Sequence, residues 1–171
     1  MPQNQTYPYA SGASSAPAGG GQTQTGRSLY DRVPPHDSEA EKAVLGGMLM
    51  SKEAVGEVSE MIKSDDFYEP QNQMVYDTIL DLYSASQPTD VIMTVNELTR
   101  NGGIEKVGGS EYVHSLVESV PTAANASFYA NIVREQAILR NVIETGTKIT
   151  QLGYSADGSE AEDIVNLAQA Q

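Results

Sequence analysis

The chain has 171 residues and carries 23 acidic against 10 basic side chains, a net charge of −13. A surface of that sign repels phosphate backbones, which excludes tight autonomous binding of nucleic acid. There is no cysteine, which excludes disulfide frameworks, cysteine-based zinc sites and thiol nucleophiles.

No apolar run approaches the ~18 residues of a membrane span, and the N-terminus lacks the basic and apolar regions of a signal peptide. A soluble, reduced, cytoplasmic protein is expected. The first 26 residues carry no charge and are mostly Gly, Pro, Ala, Gln, Ser and Thr. Such a segment is too poor in large apolar groups to build a core, so residues 1–33 are expected to form a disordered tail.

After Pro34-Pro35, Ser38-Glu39-Ala40-Glu41 has the form of a capping box. Ala40, Val44, Leu45, Met48 and Leu49 follow it at helical spacing. Ser51 opens a second helix, with Ala54, Val55, Val58, Met61 and Ile62 on one stripe. Pro70 suits the first turn of a third, carrying Val75, Ile79 and Leu82. Val91-Ile92-Met93 reads as a short extended approach to a second capping box, Thr94-Val95-Asn96-Glu97, whose helix stops at Asn101-Gly102-Gly103. Ser110 is placed to cap a fifth helix bearing Tyr112, Val113, Leu116, Val117 and Val120, ended by Pro121.

The sixth helix, expected over 126–151, differs from the others. Its apolar residues (Phe128, Tyr129, Ile132, Val133, Ile138, Leu139, Val142, Ile143 and Ile149 among them) spread around more than half the circumference, wider than one core requires. At ~1.5 Å per residue it would be about 39 Å long and project beyond a head of about 30 Å. A projecting helix with apolar groups on two sides needs a second partner. After a loop at 153–158, Glu160-Ala161-Glu162-Asp163 starts a seventh helix, whose Ile164, Val165 and Leu167 could fold back as a helical hairpin. Its pattern is unfinished at Gln171, as in a fragment of a longer protein. The fold class is all-α: a compact head of about five helices over 34–125, then a projecting hairpin over 126–171.

Charge follows the same division. Residues 37–120 carry sixteen acids and five bases, whereas 121–150 carry two acids and three bases. Self-association is therefore expected in the near-neutral stretch.

No constellation carries catalysis. Gly46-Gly47 reads as close helix packing. Gly108-Gly109-Ser110 lacks the lysine of a phosphate-binding GxxxxGK[ST], a pattern absent from the chain. Asp65-Asp66 has no third ligand within reach in sequence and reads as a solvated loop, with Asp66 or Glu69 capping the Pro70 helix. His36 and His114 read as solvated or hydrogen-bonded. No catalytic, cofactor-binding or metal-ligating residue is assigned.

Residues 34–150 resemble a known family. The resemblance rests on Pro35-His36-Asp37-Ser38-Glu39-Ala40-Glu41-Lys42-Ala43-Val44-Leu45-Gly46-Gly47-Met48, then Asp65-Asp66-Phe67-Tyr68, Val107-Gly108-Gly109 with Tyr112, and Pro121-Thr122-Ala123-Ala124-Asn125 followed by Tyr129-Ala130 and Ile132-Val133-Arg134-Glu135. In that order and spacing they are similar to the N-terminal domain of bacterial replicative DNA helicases of the DnaB family. The long uncharged tail departs from the family's compact N-terminus.

The resemblance implies a parent that is a ring-shaped hexamer coupling ATP hydrolysis to unwinding at the replication fork. Its ATP- and magnesium-binding motor lies in a C-terminal domain that this chain lacks. It further implies hairpins that pair between subunits, a collar that docks primase, a possible helicase loader as a further partner, and DNA engaged through the ring. The oligomer interface is accordingly assigned to Phe128, Ile132, Val133, Ile138, Leu139, Val142, Ile143, Ile164 and Leu167. The alternatives are the helicase-binding domain of primase and a stand-alone helical adaptor.

Overall fold

The computed structural model describes residues 32–154 and 161–170. The chain separates into two units, Met1–Val33 and Pro34–Gln171. The expected disordered tail lies, but for its last two residues, outside the described residues. The described part of the second unit is all-helical: α1 (Ser38–Met50), α2 (Lys52–Met61), α3 (Pro70–Ser84), α4 (Val91–Arg100), α5 (Gly109–Glu118), α6 (Ala126–Tyr154) and α7 (Ala161–Gln169), with short 3-10 turns at Ser64–Asp66 and Ala123–Asn125. No described helix is long and apolar enough to cross a membrane.

Helix α1 is the centre of the head. Its residues are buried from Ala40 to Leu49 with the single exception of Lys42, because α2, α3, α5 and α6 all pack around it. A helix covered on every side is apolar nearly all round, as this one is. Gly46 and Gly47 permit that crowding. A Cβ at Gly46 would lie 2.2 Å from the carbonyl oxygen of Leu116 on α5, and one at Gly47 would lie 2.7 Å from the Cβ of Ala126 on α6. Only a residue without a side chain lets both backbones come that close.

Four local expectations are corrected. The first helix is capped by Asp37, not Ser38: Asp37 Oδ1 accepts from the Ala40 N–H at 2.9 Å, and Glu41 turns inward instead of reaching back. Val91-Ile92-Met93 is not extended but forms the first turn of α4. The Asp90 carboxylate caps that helix by accepting from the Met93 N–H at 3.0 Å, and Thr94 is buried within the helix. Helix α5 starts before Ser110, at a Gly108-Gly109 turn with φ of 94° and 83°, a left-handed geometry that favours glycine. At α3 the N-cap is Glu69, which makes no side-chain cap bond, while Asp66 accepts from the Lys63 N–H within its own turn at 2.8 Å.

A polar network lies inside this apolar head. Glu41, 1% exposed, accepts from the Tyr68 N–H at 2.6 Å, the Glu69 N–H at 3.3 Å and the Asn72 side-chain amide at 2.8 Å. Asn72 in turn accepts from the Tyr112 hydroxyl. Three donors on one carboxylate satisfy a charge that would otherwise be costly to bury. The network joins α1, the segment before α3, α3 itself and α5.

Candidate functional face of the hairpin

Helix α6 has 29 residues, about 43 Å at ~1.5 Å per residue. Only its first half belongs to the head. Ala126, Ala130, Val133 and Ala137 are its buried residues, a set recurring at i, i+4, i+7 and i+11, on the face against α1. Three of the four are alanines, small enough for the two helix backbones to approach. No described residue of α6 after Ala137 is buried.

The opposite face is apolar as well. Phe128 (68% exposed), Ile138, Leu139, Val142 (64%), Ile143 and Ile149 are all exposed. At 100° per residue they occupy an arc of roughly 140° centred opposite the buried stripe. From Ile138 to Gly153 that arc contains no charged residue: it holds Ile138, Leu139, Val142, Ile143, Gly146, Ile149, Thr150 and Gly153. The charges of this stretch, Arg140, Glu144 and Lys148, lie on the other side of the helix, in line with the buried stripe, where Lys148 pairs with Glu144 at 2.8 Å. That hydrogen bond holds the Glu144 carboxyl below its usual range. Helix α7 packs against α6. Its Ile164 and Ala168 are half-buried, while Val165 and Leu167 remain exposed.

The assigned interface residues therefore divide. Phe128, Ile138, Leu139, Val142, Ile143 and Leu167 are exposed on the hairpin. Ile164 is half-buried. Ile132 is half-buried against the head core, lining with Tyr129, Ala40 and Ala43 a depression of about 230 Å³. Val133 is 1% exposed and part of the core. Its assignment to the interface is corrected: it faces α1 because it lies seven residues after Ala126, on the stripe that packs there. Sequence reasoning left out Ile149 and Val165, which share the exposed surface and carry the same apolar signal.

It also missed Arg140, which ties α6 to the carbonyls of Pro35 and Asp66, and Glu41, the centre of the buried polar network of the head. The position of Glu41 was a usable signal, since it sits at i−3 and i−4 from Val44 and Leu45 on an apolar face. Among the described residues there is no cluster of three His, Asp or Glu side chains that could hold a metal ion. His36 stacks on Tyr68, ring centroids 4.2 Å apart, and His114 is exposed.

What the face can contribute is apolar burial. Each half-exposed aliphatic side chain contributes about 1 kcal/mol when covered, and association opposes this with about 4–15 kcal/mol of lost freedom and ordering. The six exposed side chains of the α6 stripe together contribute about 6 kcal/mol, enough to offset the lower part of that range, and α7 adds its own exposed residues.

Comparison with known proteins places this geometry. A family model described as the DnaB-like helicase N-terminal domain matches residues 33–135. The chain is similar to the replicative DNA helicase DnaB of Leifsonia xyli subsp. xyli, 55% identical over 141 residues, covering 82% of this chain and 31% of that protein. To the replicative DNA helicase DnaB of Mycobacterium leprae it is 48% identical over 143 residues, covering 83% and 24%. To the replicative DNA helicase DnaC of Bacillus subtilis it is 41% identical over 141 residues, covering 82% and 31%. The matched region thus spans about a quarter to a third of the length of these relatives. A crystal structure of the N-terminal domain of DnaB helicase from Mycobacterium tuberculosis superposes with a TM-score of 0.78 at 48% identity, covering 81% of this chain and 96% of that one.

Proposed function

This chain belongs to the DnaB-like helicase N-terminal domain family, and from that premise we propose that it is the non-catalytic oligomerisation and docking domain of an ATP-dependent replicative DNA helicase. The hairpin pairs with the hairpin of a second copy, and such pairs build the six-membered ring of the parent. The head docks primase and, in its turn, a helicase loader. ATP and magnesium act in the parent's motor domain, and DNA is engaged through the ring.

The observation that carries this reading is the two-sidedness of α6. One stripe closes the head core, and the opposite arc, charge-free from Ile138 to Gly153, stays exposed together with Val165 and Leu167. An apolar face of that size on a soluble domain calls for a partner. Two copies of the same face satisfy it without any further chemistry. The strongly acidic head fits a docking partner with basic groups, which would tune association rate more than affinity. The curated relatives are named as replicative helicases, which favours this reading over a primase domain.

The test is Val142→Asp combined with Ile143→Asp. Both residues are exposed, so the helical circular dichroism and thermal midpoint of the head should stay within experimental scatter. The mass by light scattering should fall from that of an oligomer to that of one chain. Val133→Asp on the same helix should instead unfold the head. An unmutated chain that is monomeric at high concentration, or a double variant that keeps its oligomeric mass, refutes the proposal.

A further inference from the structure

Helix α6 leaves the head at Arg140. This side chain is half-buried and follows the last core residue, Ala137, by three positions. Its guanidinium uses both arms. Nη1 donates to the carbonyl of Pro35 at 2.8 Å, and Nη2 donates to the carbonyl of Asp66. The guanidinium carbon also lies 5.8 Å from the centroid of the Tyr68 ring, on which His36 stacks. The Tyr68 backbone N–H is held in turn by the buried Glu41. One position of α6 is thereby tied to the chain entering the head, to the Ser64–Asp66 turn and to the polar network of the core.

A planar fork that engages two fixed carbonyls constrains both the place and the rotation of the helix that carries it. The other side-chain hydrogen bond between α6 and the head, among the described residues, is at the opposite end of the packed segment, from Ser127 to Glu57 on the surface. Beyond Arg140 the helix meets the head with no buried residue at all.

We propose that Arg140 is a latch that fixes the direction in which the hairpin leaves the head, and that Pro34–Asp37 is the strap it closes on. Half of its hydrogen bonding is to this strap and half to the Ser64–Asp66 turn. The device acts within a single chain and does not depend on how the hairpin pairs.

The absence of cysteine gives a direct experiment. Spin labels are placed on Glu60→Cys in α2 and Gln151→Cys near the end of α6, both exposed positions. Labelled chain is diluted in excess unlabelled chain, so that the measured distance is intramolecular. The parent pair should give one narrow distance distribution, and Arg140→Gln should broaden it at least twofold with the circular dichroism of the head unchanged. Arg140→Lys keeps the charge beside Tyr68 but serves one carbonyl, and should broaden it by a smaller factor. Should Arg140→Gln fail to fold, the lysine variant decides alone. An unchanged width in the variant that folds overturns the latch. Loss of the head fold in both variants overturns it as well, because Arg140 would then support the head and not the pose of the hairpin.

Discussion

Replacing Gly46 by alanine sets two physical effects against each other, and the structure decides which is larger. Gly46 lies in the interior of α1, where alanine is favoured over glycine by about 1 kcal/mol on helix propensity alone. The added methyl, however, would sit 2.2 Å from the Leu116 carbonyl oxygen and 2.7 Å from Val120 Cγ2. The nearer contact is backbone, so relief requires the last turn of α5 to move outward by about 1 Å, and that turn carries Leu116 in the core. Overpacking of a dense core costs about 1–3 kcal/mol. Displacing a backbone belongs at the top of that range. The net expectation is a loss of about 2 kcal/mol, or about 4–10 °C in thermal midpoint for a domain of this size. Gly146→Ala is the internal control, because no heavy atom lies within 4 Å of its added methyl. In the Val142→Asp, Ile143→Asp background, where the exposed arc stays unpaired, the propensity gain of up to ~1 kcal/mol should appear undiminished. Urea titration followed by far-ultraviolet circular dichroism measures both. A Gly46→Ala variant as stable as the parent would refute the close approach of α1 and α5.

Glu41→Gln preserves shape but turns an acceptor-only group into one that also donates, facing three N–H donors. It should cost about 2–4 kcal/mol, read as a lower urea midpoint at unchanged slope; a cost under ~0.5 kcal/mol, the level of an ordinary surface change, would mean that the network contributes little. Tyr76, 1% exposed and donating to the Ile62 carbonyl at 2.7 Å, has its phenol pushed up to about 12 by burial. The folded value exceeds the unfolded value of ~10, so this contribution is constant below pH ~10 and is lost as pH rises through 12. Against Tyr76→Phe as reference, the parent should lose about 1.4 kcal/mol by pH 11. Equal pH dependence of the two proteins between pH 9 and 11 would show that the phenol titrates freely.

Most of the helices were legible from spacing and punctuation. Ser51 does open α2, with its hydroxyl accepting from the Ala54 N–H at 3.3 Å, and α4 does stop at Arg100 before Asn101-Gly102. Two of the failures at helix starts share a cause. Asp37-Ser38 and Asp90 followed by Thr94 each offer two residues able to cap. The choice between them depends on which side chain the core takes, and that is a tertiary matter. Glu41 leaves its local role because Tyr68, Glu69 and Asn72, some thirty residues on, present three donors to it. Thr94 is drawn inside a helix for the same sort of reason. On α6 the periodicity revealed two apolar faces but not which one the head would take. That phase is fixed where Ala126 meets Gly47, and it assigns Val133 inward and Val142 outward. Arg140 gave no local signal at all, since its partners are two backbone carbonyls, which no side-chain pattern encodes.

The length of α6 past its last anchor turns that anchor into a fulcrum. Fourteen residues separate Arg140 from Tyr154 at the end of the helix, an arm of about 21 Å at ~1.5 Å per residue. A tilt of about 10° at the base therefore sweeps the far end through about 4 Å, most of one helical turn. Contacts near the base of the arm would barely register such a tilt, while those around Ile149 would exchange neighbours. Small adjustments at the edge of the head are in this way geared up into changes of register at the tip of the hairpin.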